Sequence, residues 1–384
     1  MIYLDHAATT PLRDEVRDAW LEAQGIVGNA SSVHAAGQGA RRVLEEARES
    51  FAASVRAEPI EVVFTSGGTE SIGLALQGLW RRRADGRDTI VLPDGEHHAA
   101  LDTVSWLESR EAARIAPVAL DAVGRIRDDA FRDALADAAV ATALVAANET
   151  GTVNDAARLA DAAARAGVPL HLDAVAALGR TPVDFAAWRG DAPAGSGLVA
   201  MSASGHKIGA PVGTGALVVS RTARIEPLLH GGGQQRGIRA GTQDVAGAVA
   251  LARAAELAEQ ERTAESARLE GLRAGLVSAL ARRLPRAVVL GDPDRHLPST
   301  VHVLLPGADG ESVLFLLDQQ GISVSTGSAC QAGVAEPSHV VMALGYSAAE
   351  ARQVVRISMG RDTTAADLVA LENALVDAYE RLSG

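Results

Sequence analysis

Six short apolar runs alternate with longer amphipathic segments over the first part of the chain. The runs lie at 61–65, 89–92, 142–147, 169–172, 197–202 and 215–220, and each is too brief for a helix of that apolarity. Amphipathic patterns typical of helices separate the first five runs, at 69–83, 97–110, 128–138 and 155–166. This alternation predicts βαβ units and therefore a mainly parallel sheet with flanking helices. The sixth run follows the fifth after a short Gly-rich link, so its strand can be antiparallel.

The pattern changes after residue 243. A segment rich in Ala, Leu, Glu and Arg over 243–284 has apolar residues at i, i+3 and i+4, and it predicts one long helix that links two bodies. Beyond it come predicted strands and helices of a small α+β domain, at 301–305, near 311–320, at 322–326, at 354–358 and from Thr364 onward. A chain of 384 residues exceeds one compact core. We therefore expect a large domain over 15–255 and a smaller one formed by 1–14 and 256–384.

Composition and charge narrow the classes of function. A net charge of −12 argues against a surface that binds nucleic acid or an anionic membrane. The opening MIYLDHAATTP has no basic segment followed by an apolar one, and no run of 18 uncharged apolar residues follows, so we expect a cytoplasmic protein. Cys330 is the only cysteine, which excludes disulfides within the chain, and we expect no metal site.

Lys207 stands in a run of small residues, SASGHKIGAP (202–211), directly after an apolar run. A lysine in such surroundings is partly desolvated, which favours the neutral, nucleophilic amine. A neutral amine adds to aldehydes, and the neighbouring Ser204 and His206 can hold an anion. These residues raise the hypothesis of an aldehyde cofactor that carries a phosphate.

Asp173 directly follows the apolar run 169–172. In open parallel sheets, ligands sit at the carboxyl ends of the strands, although an aspartate there can equally be a helix N-cap. Because Lys207 follows the next strand, both residues fall on the same edge of the sheet. A carboxylate at that edge needs a cationic partner, and a protonated pyridine nitrogen can serve.

Two further motifs follow strands on that edge. His97 lies in GEHHAA (95–100), where a histidine can stack on an aromatic ring and move protons near neutral pH. Asn148 lies in ANETG (147–151), where it can donate to a phenolate or carboxylate oxygen or simply form a turn. FTSGGTES (64–71) places backbone N–H groups and the Thr69 hydroxyl at a helix N-terminus, which attracts phosphate but is also how a plain N-cap looks.

Three later segments carry candidate chemistry. GGGQQRGIRAGT (231–242) is either a linker or a loop that completes an anion site in a neighbouring subunit. Cys330 lies among small polar residues in STGSACQAG, which favours an exposed, reactive thiol over a buried one. Arg356 in VVRISMG (354–360) can bind a substrate carboxylate through two N–H groups, or it can be an ordinary strand arginine.

In their order along the chain, these motifs resemble the cysteine desulfurases, which are pyridoxal-5′-phosphate (PLP) enzymes of the class-V, fold-type I aminotransferase group. The resemblance implies an α/β fold with a mainly parallel seven-stranded sheet and flanking helices, plus the smaller α+β domain. The short interval between Cys330 and EPSHV implies the subgroup whose cysteine lies on an extended loop. The motifs cover nearly the whole chain: YLDHAATTP, GNASSVHAAG, FTSGGTES, EHHA, ANETG, LDAV, SASGHKIGAP, GGGQQRGIRAGT, STGSAC, EPSHV and VRISMG.

The resemblance also implies a role for each candidate residue. Lys207 would bind PLP covalently and then move protons, and Asp173 would keep the pyridine nitrogen protonated. His97 would stack on the ring, and it is our candidate to take the proton of Cys330. The remaining contacts implied are Gly68, Thr69, Ser204 and His206 at the phosphate, Thr242 from the other subunit of a homodimer, and Asn148 and Arg356 at the carboxylate of L-cysteine.

The implied reaction converts L-cysteine to L-alanine and leaves the sulfur on Cys330 as a persulfide, for delivery to an acceptor protein. Enzymes of this pattern serve iron–sulfur cluster assembly, tRNA thiolation and DNA phosphorothioation, and the sequence does not choose among them. Two alternatives stay open. One is a selenocysteine lyase or another PLP-dependent β-lyase, and the other is a non-catalytic protein that keeps the fold for interactions.

The chain departs from the family pattern at several positions. Ala176 stands where the family has a glutamine that hydrogen-bonds the cofactor phenolate, so Asn148 alone would do that work. These departures bear on cofactor tuning and rate more than on the type of reaction, because the residues given central roles remain. The others are Val212 for lysine, Gln235 for glutamate, Ala240 for serine and Gly73 for asparagine.

Overall fold

The computed structural model describes residues 1–327 and 336–383. Its strands are β1 (Ile2–Tyr3), β2 (Val62–Thr65), β3 (Thr89–Pro93), β4 (Arg114–Val118), β5 (Ala138–Leu144), β6 (Pro169–Asp173), β7 (Gly197–Ser204), β8 (Gly215–Val219), β9 (Val288–Leu290), β10 (Thr300–Leu304), β11 (Ile322–Ser323) and β12 (Val354–Ser358). Its α-helices are α1 (Asp14–Gln24), α2 (Ala35–Ser54), α3 (Gly68–Arg81), α4 (His98–Glu111), α5 (Asp128–Ala134), α6 (Ala156–Ala166), α7 (Phe185–Arg189), α8 (Val245–Arg283), α9 (Gly310–Asp318), α10 (His339–Ala343) and α11 (Ala365–Ser383).

Seven strands form one sheet in the order β2-β8-β7-β6-β5-β3-β4. All of them run parallel except β8, which pairs antiparallel with both β7 and β2. The predicted α/β architecture is confirmed, including the antiparallel strand after the short Gly-rich link. Because the strands β3, β5, β6 and β7 end at the same edge, the residues that follow them are brought together there.

Two elements of this sheet differ from the sequence-based prediction. The edge strand β4 was not predicted, since its sequence RIAPV is only partly buried and contains a proline, which edge strands tolerate. The strand β5 begins at Ala138 instead of 142, and the preceding helix α5 stops at Ala134. Alanine-rich AAVATAL has no strong strand propensity, but it is fully buried between β3 and β6, and tertiary pairing overrides propensity.

A second apolar core lies around the antiparallel strands β9, β10 and β12, which are covered by α9, α11 and the end of α8. The N-terminal strand β1 pairs with β11 in this part of the molecule. The helix α8 confirms the long helix predicted over 243–284, since its residues up to Ala258 pack in the large core and those from Leu269 pack in the second. The domain boundaries near residues 15 and 255 stay a prediction. Neither α8 nor any other helix within 1–327 and 336–383 is apolar enough along its length to cross a membrane.

The loop 231–242 is ordered against the sheet edge. Gln235 accepts a hydrogen bond from the Phe64 N–H (2.7 Å) and donates one to the Phe64 carbonyl (2.9 Å), much as a neighbouring strand would. Arg239 forms an ion pair with Glu70 at 2.7 Å. These contacts argue against a structureless linker. They also give the departure at 235 a structural meaning, because the carboxylate of a glutamate has no N–H to donate to the Phe64 carbonyl.

A buried polar contact crosses the middle of the sheet. The His171 Nδ1 lies 2.9 Å from the Thr142 hydroxyl, and its Nε2 lies 2.7 Å from the Ser202 hydroxyl. Burial lowers the pKa of His171 to about 3, so the ring is neutral near pH 7. The imidazole therefore joins three neighbouring strands without carrying a charge.

We expect this histidine to make stability depend on pH. The unfolded-state pKa is about 6.5, so its contribution is complete above that pH and is lost as the pH falls toward 3. Below pH 6 this loss amounts to about 1.4 kcal/mol per pH unit. Urea titrations at pH 7.5, 6.5 and 5.5 should show a shallower pH dependence for His171→Gln, whose neutral amide can bond both hydroxyls. An equal dependence in the variant and the wild type would show that the imidazole does not stay neutral on folding.

Candidate active site

A cavity of about 290 Å³ opens at the carboxyl edge of the parallel strands. Thr242 does not line this cavity in its own chain, and Cys330 lies outside the described residues. Ala176 lies in the wall, where its methyl group cannot hydrogen-bond a ligand. The sequence-predicted residues that line the cavity are Gly68, Thr69, His97, Asn148, Asp173, Ser204, His206, Lys207 and Arg356.

Lys207 ends a 3₁₀ turn, Gly205–Lys207, that directly follows β7. Its half-buried ammonium group donates to the carbonyls of Ala7 and Ala8, the latter at 3.0 Å. Lys207 is also the only lysine among the 36 Lys and Arg residues of the chain. Because arginine stays protonated, an amine nucleophile can come only from Lys207 or from the chain terminus.

Asp173 is the last residue of β6 and is 3% exposed. One of its oxygens accepts a hydrogen bond from the Val175 N–H at 2.9 Å. Burial raises the pKa of Asp173 to about 6, against the opposing effects of that N–H group and of Lys207. A cationic N–H partner in the cavity would lower the pKa and stabilise the carboxylate, which is what a protonated pyridine nitrogen offers.

The phosphate end of the predicted cofactor fits the turn before α3. Gly67 has φ +152°, and the strand β8 runs so close to it that a Cβ at Gly215 would lie 2.5 Å from the Gly67 Cα. The Ser204 hydroxyl is buried in this part of the cavity and has no hydrogen-bond partner among the described residues. A buried hydroxyl without a partner is costly, and an anion at the N-terminus of α3 would satisfy it. The residues present therefore fit a phosphate.

His206 ties the Lys207 turn to the N-terminal segment. Its Nδ1 lies 3.2 Å from the Thr9 hydroxyl, and its carbonyl accepts hydrogen bonds from the N–H and the hydroxyl of Thr10. Burial, and then the nearby charge of Lys207, lowers the pKa of His206 to about 4. The ring is therefore neutral near pH 7 and can contact an anion only through hydrogen bonding.

His97 is the N-cap of α4, and its Nδ1 accepts a hydrogen bond from the Ala99 N–H at 3.1 Å. The ring proton therefore lies on Nε2. Burial, and then Lys207, lowers the pKa of His97 to about 4, so a neutral ring is available to stack on a flat cofactor. To accept a proton from Cys330, the ring would have to give up the bond to Ala99 or shift its own proton. The role of His97 as that acceptor stays a prediction.

The residue before His97 was not predicted as part of the site. Glu96 is fully buried, and one of its oxygens accepts a hydrogen bond from the Leu144 N–H at 2.8 Å. Burial, together with the smaller effect of the nearby Asp173 charge, raises the pKa of Glu96 to about 8 against the opposing effect of the Leu144 N–H. The carboxyl group is therefore protonated near pH 7, which leaves Asp173 as the anionic one of these two groups.

Arg356 on β12 is 3% exposed and is held from two sides. Its Nη2 forms an ion pair with Asp5 at 2.8 Å, and its Nη1 donates to the Asn148 carbonyl at 3.1 Å. Its Nε is buried and has no hydrogen-bond partner among the described residues. An N–H group thus remains for a substrate carboxylate. Nothing local in the sequence indicates that Asp5 pairs with Arg356, which lies 351 residues away.

Comparisons with known proteins place this geometry in a family. Residues 2–371 match the Aminotransferase class-V family. The "IscS-like cysteine desulfurase" of Mycobacterium tuberculosis is 44% identical over 388 residues, which cover 99% of this chain and 97% of that protein. Among solved structures, a "NIFS-LIKE PROTEIN" has a TM-score of 0.89 at 29% identity, covering 99% of this chain and 100% of its own. "SspA in complex with cysteine" has a TM-score of 0.78 at 29% identity, covering 94% and 99%. The chain belongs to the Aminotransferase class-V family and, within it, to the PLP-dependent cysteine desulfurases.

Proposed function

We propose that this cysteine desulfurase binds both PLP and L-cysteine in the cavity at the carboxyl edge of the sheet and passes the sulfur to Cys330. One observation carries the proposal. A single cavity gathers the only lysine of the chain and a buried carboxylate whose pKa is raised by burial. Among the described residues, the same cavity also holds a serine hydroxyl and an arginine Nε that have no hydrogen-bond partner. These are the groups that the aldehyde, the pyridine nitrogen, the phosphate and a substrate carboxylate require.

PLP, when bound, supplies the electron sink that makes bonds at the substrate Cα and Cβ labile. Lys207 would bind the aldehyde carbon through Nζ, and Asp173 would hold the proton of the pyridine nitrogen. The phosphate would lie against the first turn of α3, within reach of the hydroxyls of Thr69 and Ser204 and of the His206 ring. His97 would cover one face of the ring and exclude water from it.

The substrate end of the cavity would be formed by Arg356 and Asn148. A substrate carboxylate would be a suitable partner for the Arg356 Nε, because burial without a hydrogen bond is unfavourable for a guanidinium N–H. The solved structure of SspA in complex with cysteine supports L-cysteine as the occupant. Asp5 would keep the guanidinium in place through its 2.8 Å ion pair.

Once released from the cofactor, the Lys207 Nζ would take the proton from the substrate Cα. It would later return a proton to Cα. The Cys330 sulfur would then form a bond with the substrate sulfur while the substrate Cβ–S bond breaks. The electron pair of that bond stays on Cβ, which gains the proton given up by Cys330. The two sulfurs are thereby oxidised to a persulfide, the carbon is reduced, and the organic product is L-alanine.

We also propose a homodimer, an acceptor protein and a cytoplasmic location. Thr242 is exposed and does not line the cavity of its own chain, as expected if it serves the partner subunit of a homodimer. An acceptor protein would take the sulfur onward, for iron–sulfur cluster assembly, tRNA thiolation or DNA phosphorothioation. We place the enzyme in the cytoplasm, without direct contact to nucleic acid.

A single-turnover experiment tests the proposal. The PLP-loaded protein is mixed with L-cysteine labelled at sulfur, without acceptor or reductant, and alanine and the label on the Cys330 peptide are measured together. We expect one alanine for each labelled sulfur on Cys330. Release of pyruvate and free sulfide would contradict the proposed transfer and favour a β-eliminating lyase. Alanine without label on the peptide would also contradict transfer to Cys330.

A further inference from the structure

The carboxylate of Glu149 lies between the two ends of the segment that carries Cys330, hydrogen-bonded to one end and packed close to the other. On the C-terminal side, the Ser338 hydroxyl donates to Glu149 Oε2 at 2.5 Å. On the N-terminal side, Gly327 lies so close that a Cβ there would be 3.0 Å from the same oxygen and 3.4 Å from His302 Nε2. Glu149, His302, Gly327 and Ser338 are all buried. Gly327 has φ +84°, a backbone conformation that favours glycine. In the sequence, residues 328–335 join the two ends and lie outside the described part of the chain.

Each end is also tied to its surroundings. The Gly327 N–H donates to the Ser325 hydroxyl at 3.1 Å, and Ser325 exchanges two backbone hydrogen bonds with Arg356. The Ser338 hydroxyl accepts a hydrogen bond from the Val341 N–H and so caps α10. Both described ends are therefore hydrogen-bonded to neighbouring structural elements.

Glu149 connects these ends to the substrate end of the cavity. It follows Asn148 directly, and the Asn148 carbonyl accepts the hydrogen bond from Arg356 Nη1. The backbone of Arg356 in turn holds Ser325, two residues before Gly327. The groups proposed to bind the substrate carboxylate and the two attachment points of the cysteine segment thus form one continuous set of contacts. None of the roles assigned above uses Glu149.

We propose that Glu149 is a positioning residue for sulfur transfer. This role rests on the proposed function: the carboxylate hydrogen-bonds Ser338 and packs against Gly327, and it thereby positions the two described ends of the Cys330 segment relative to the substrate end of the cavity. Glu149 touches neither cofactor nor substrate in this account. Fixing both ends raises the effective concentration of the thiol at the substrate sulfur, and misplacement by about 1 Å can cost about 10²-fold in rate.

Two variants at the position separate anchoring from charge. Glu149→Ala removes the acceptor of the Ser338 hydrogen bond, whereas Glu149→Gln keeps a carbonyl oxygen that can accept it. We expect Glu149→Ala to slow single-turnover persulfide formation on Cys330 by about 10- to 100-fold. We expect Glu149→Gln to stay within about threefold of wild type, and KM for L-cysteine to change less than about threefold in both.

Hydrogen exchange of the backbone supplies a readout that does not depend on catalysis. In Glu149→Ala, peptides covering Gly327 and 336–342 should exchange faster than in wild type, while peptides of α3 and β6 at the cofactor should not change. Ser347→Ala is the matched control, because its hydroxyl also donates to a glutamate, Glu350 at 2.6 Å, but on an exposed turn. That variant should change neither exchange at these two ends nor persulfide formation.

Failure of the inference and failure of the proposed function are distinguishable. If wild type forms no persulfide, the proposed function fails and the inference fails with it. If wild type forms persulfide and Glu149→Ala forms it at the same rate, only the role of Glu149 is overturned. Equal losses in Glu149→Ala and Glu149→Gln would likewise overturn anchoring through the Ser338 bond. Should Glu149→Ala not fold, Ser338→Ala replaces it, with an expected slowing of about tenfold and wild-type speed as the overturning result.

Discussion

Replacing Lys207 with alanine lowers alanine production from L-cysteine by at least about 10³-fold in our account, since one amine both binds the cofactor and moves the proton at Cα. Lys207 is the only lysine of the chain, so no neighbouring lysine can substitute. Lys207 follows β7 and lines the same cavity as Asp173. The measurement is the rate of alanine formation, together with the absorbance of the purified protein at the edge of the visible range, where covalently bound PLP absorbs.

Lys207→Arg is the matched control for this prediction. Arginine keeps the positive charge near the Ala7 and Ala8 carbonyls but stays protonated, so it cannot act as the nucleophile. We expect both variants to fold, to lack the absorbance band of covalently bound cofactor and to be inactive. Wild-type turnover in either variant would show that the cavity does not use this amine.

Replacing Cys330 with alanine has the second largest expected effect. It removes the only thiol of the chain, and we expect sulfur transfer to an acceptor to fall by at least about 10³-fold, because loss of a nucleophile removes the step it makes possible. The cavity residues are unchanged in this variant, so cofactor absorbance and the affinity for L-cysteine should stay as in wild type. Turnover is measured as alanine and as sulfur on an acceptor.

This variant also separates the desulfurase from the alternatives of the same fold. In a selenocysteine lyase or a β-lyase the thiol is optional, and Cys330→Ala would retain its turnover. A non-catalytic protein would show no turnover in wild type either. If Cys330→Ala converts L-cysteine at the wild-type rate with an acceptor present, the persulfide on this residue is not part of the reaction.

The cavity-lining residues that could be expected from the sequence are those that directly follow the parallel strands. Asp173 and Lys207 each follow a buried strand, and parallel strands ending at one edge bring such residues together, so their shared cavity could be expected from the order of the motifs. The same applies to His97 and Asn148. The residues implied by the family resemblance and described in this chain line that cavity, with the exception of Thr242, whose predicted place is in the partner subunit.

The contacts that hold the site together were not predictable in this way. Asp5 pairs with Arg356 across 351 residues of sequence, and Glu149 meets Ser338 across 189. No periodicity or local motif encodes such pairs, because they depend on how the N-terminal segment and the second core pack against the large sheet. A different signal was available for Lys207, whose uniqueness among the basic residues can be counted directly from the sequence.

Some departures from the family pattern have a reason in the structure, and others do not. Gln235 has a visible reason, since its amide hydrogen-bonds both backbone groups of Phe64 at the sheet edge. Ala176 lies in the cavity wall without a hydrogen-bonding group, so Asn148 remains the residue predicted to donate to the cofactor phenolate. Nothing in the structure explains the change at Val212, which is exposed.

The central claim is that the aldehyde of PLP is linked covalently to the Lys207 Nζ. Mass spectrometry of the reduced protein tests this claim directly. After incubation with PLP and reduction with borohydride, digestion should yield a single modified peptide, which contains residue 207 and carries the mass of one reduced pyridoxyl phosphate group. A protein that stays colourless with PLP and gives only the unmodified peptide after reduction would contradict the account.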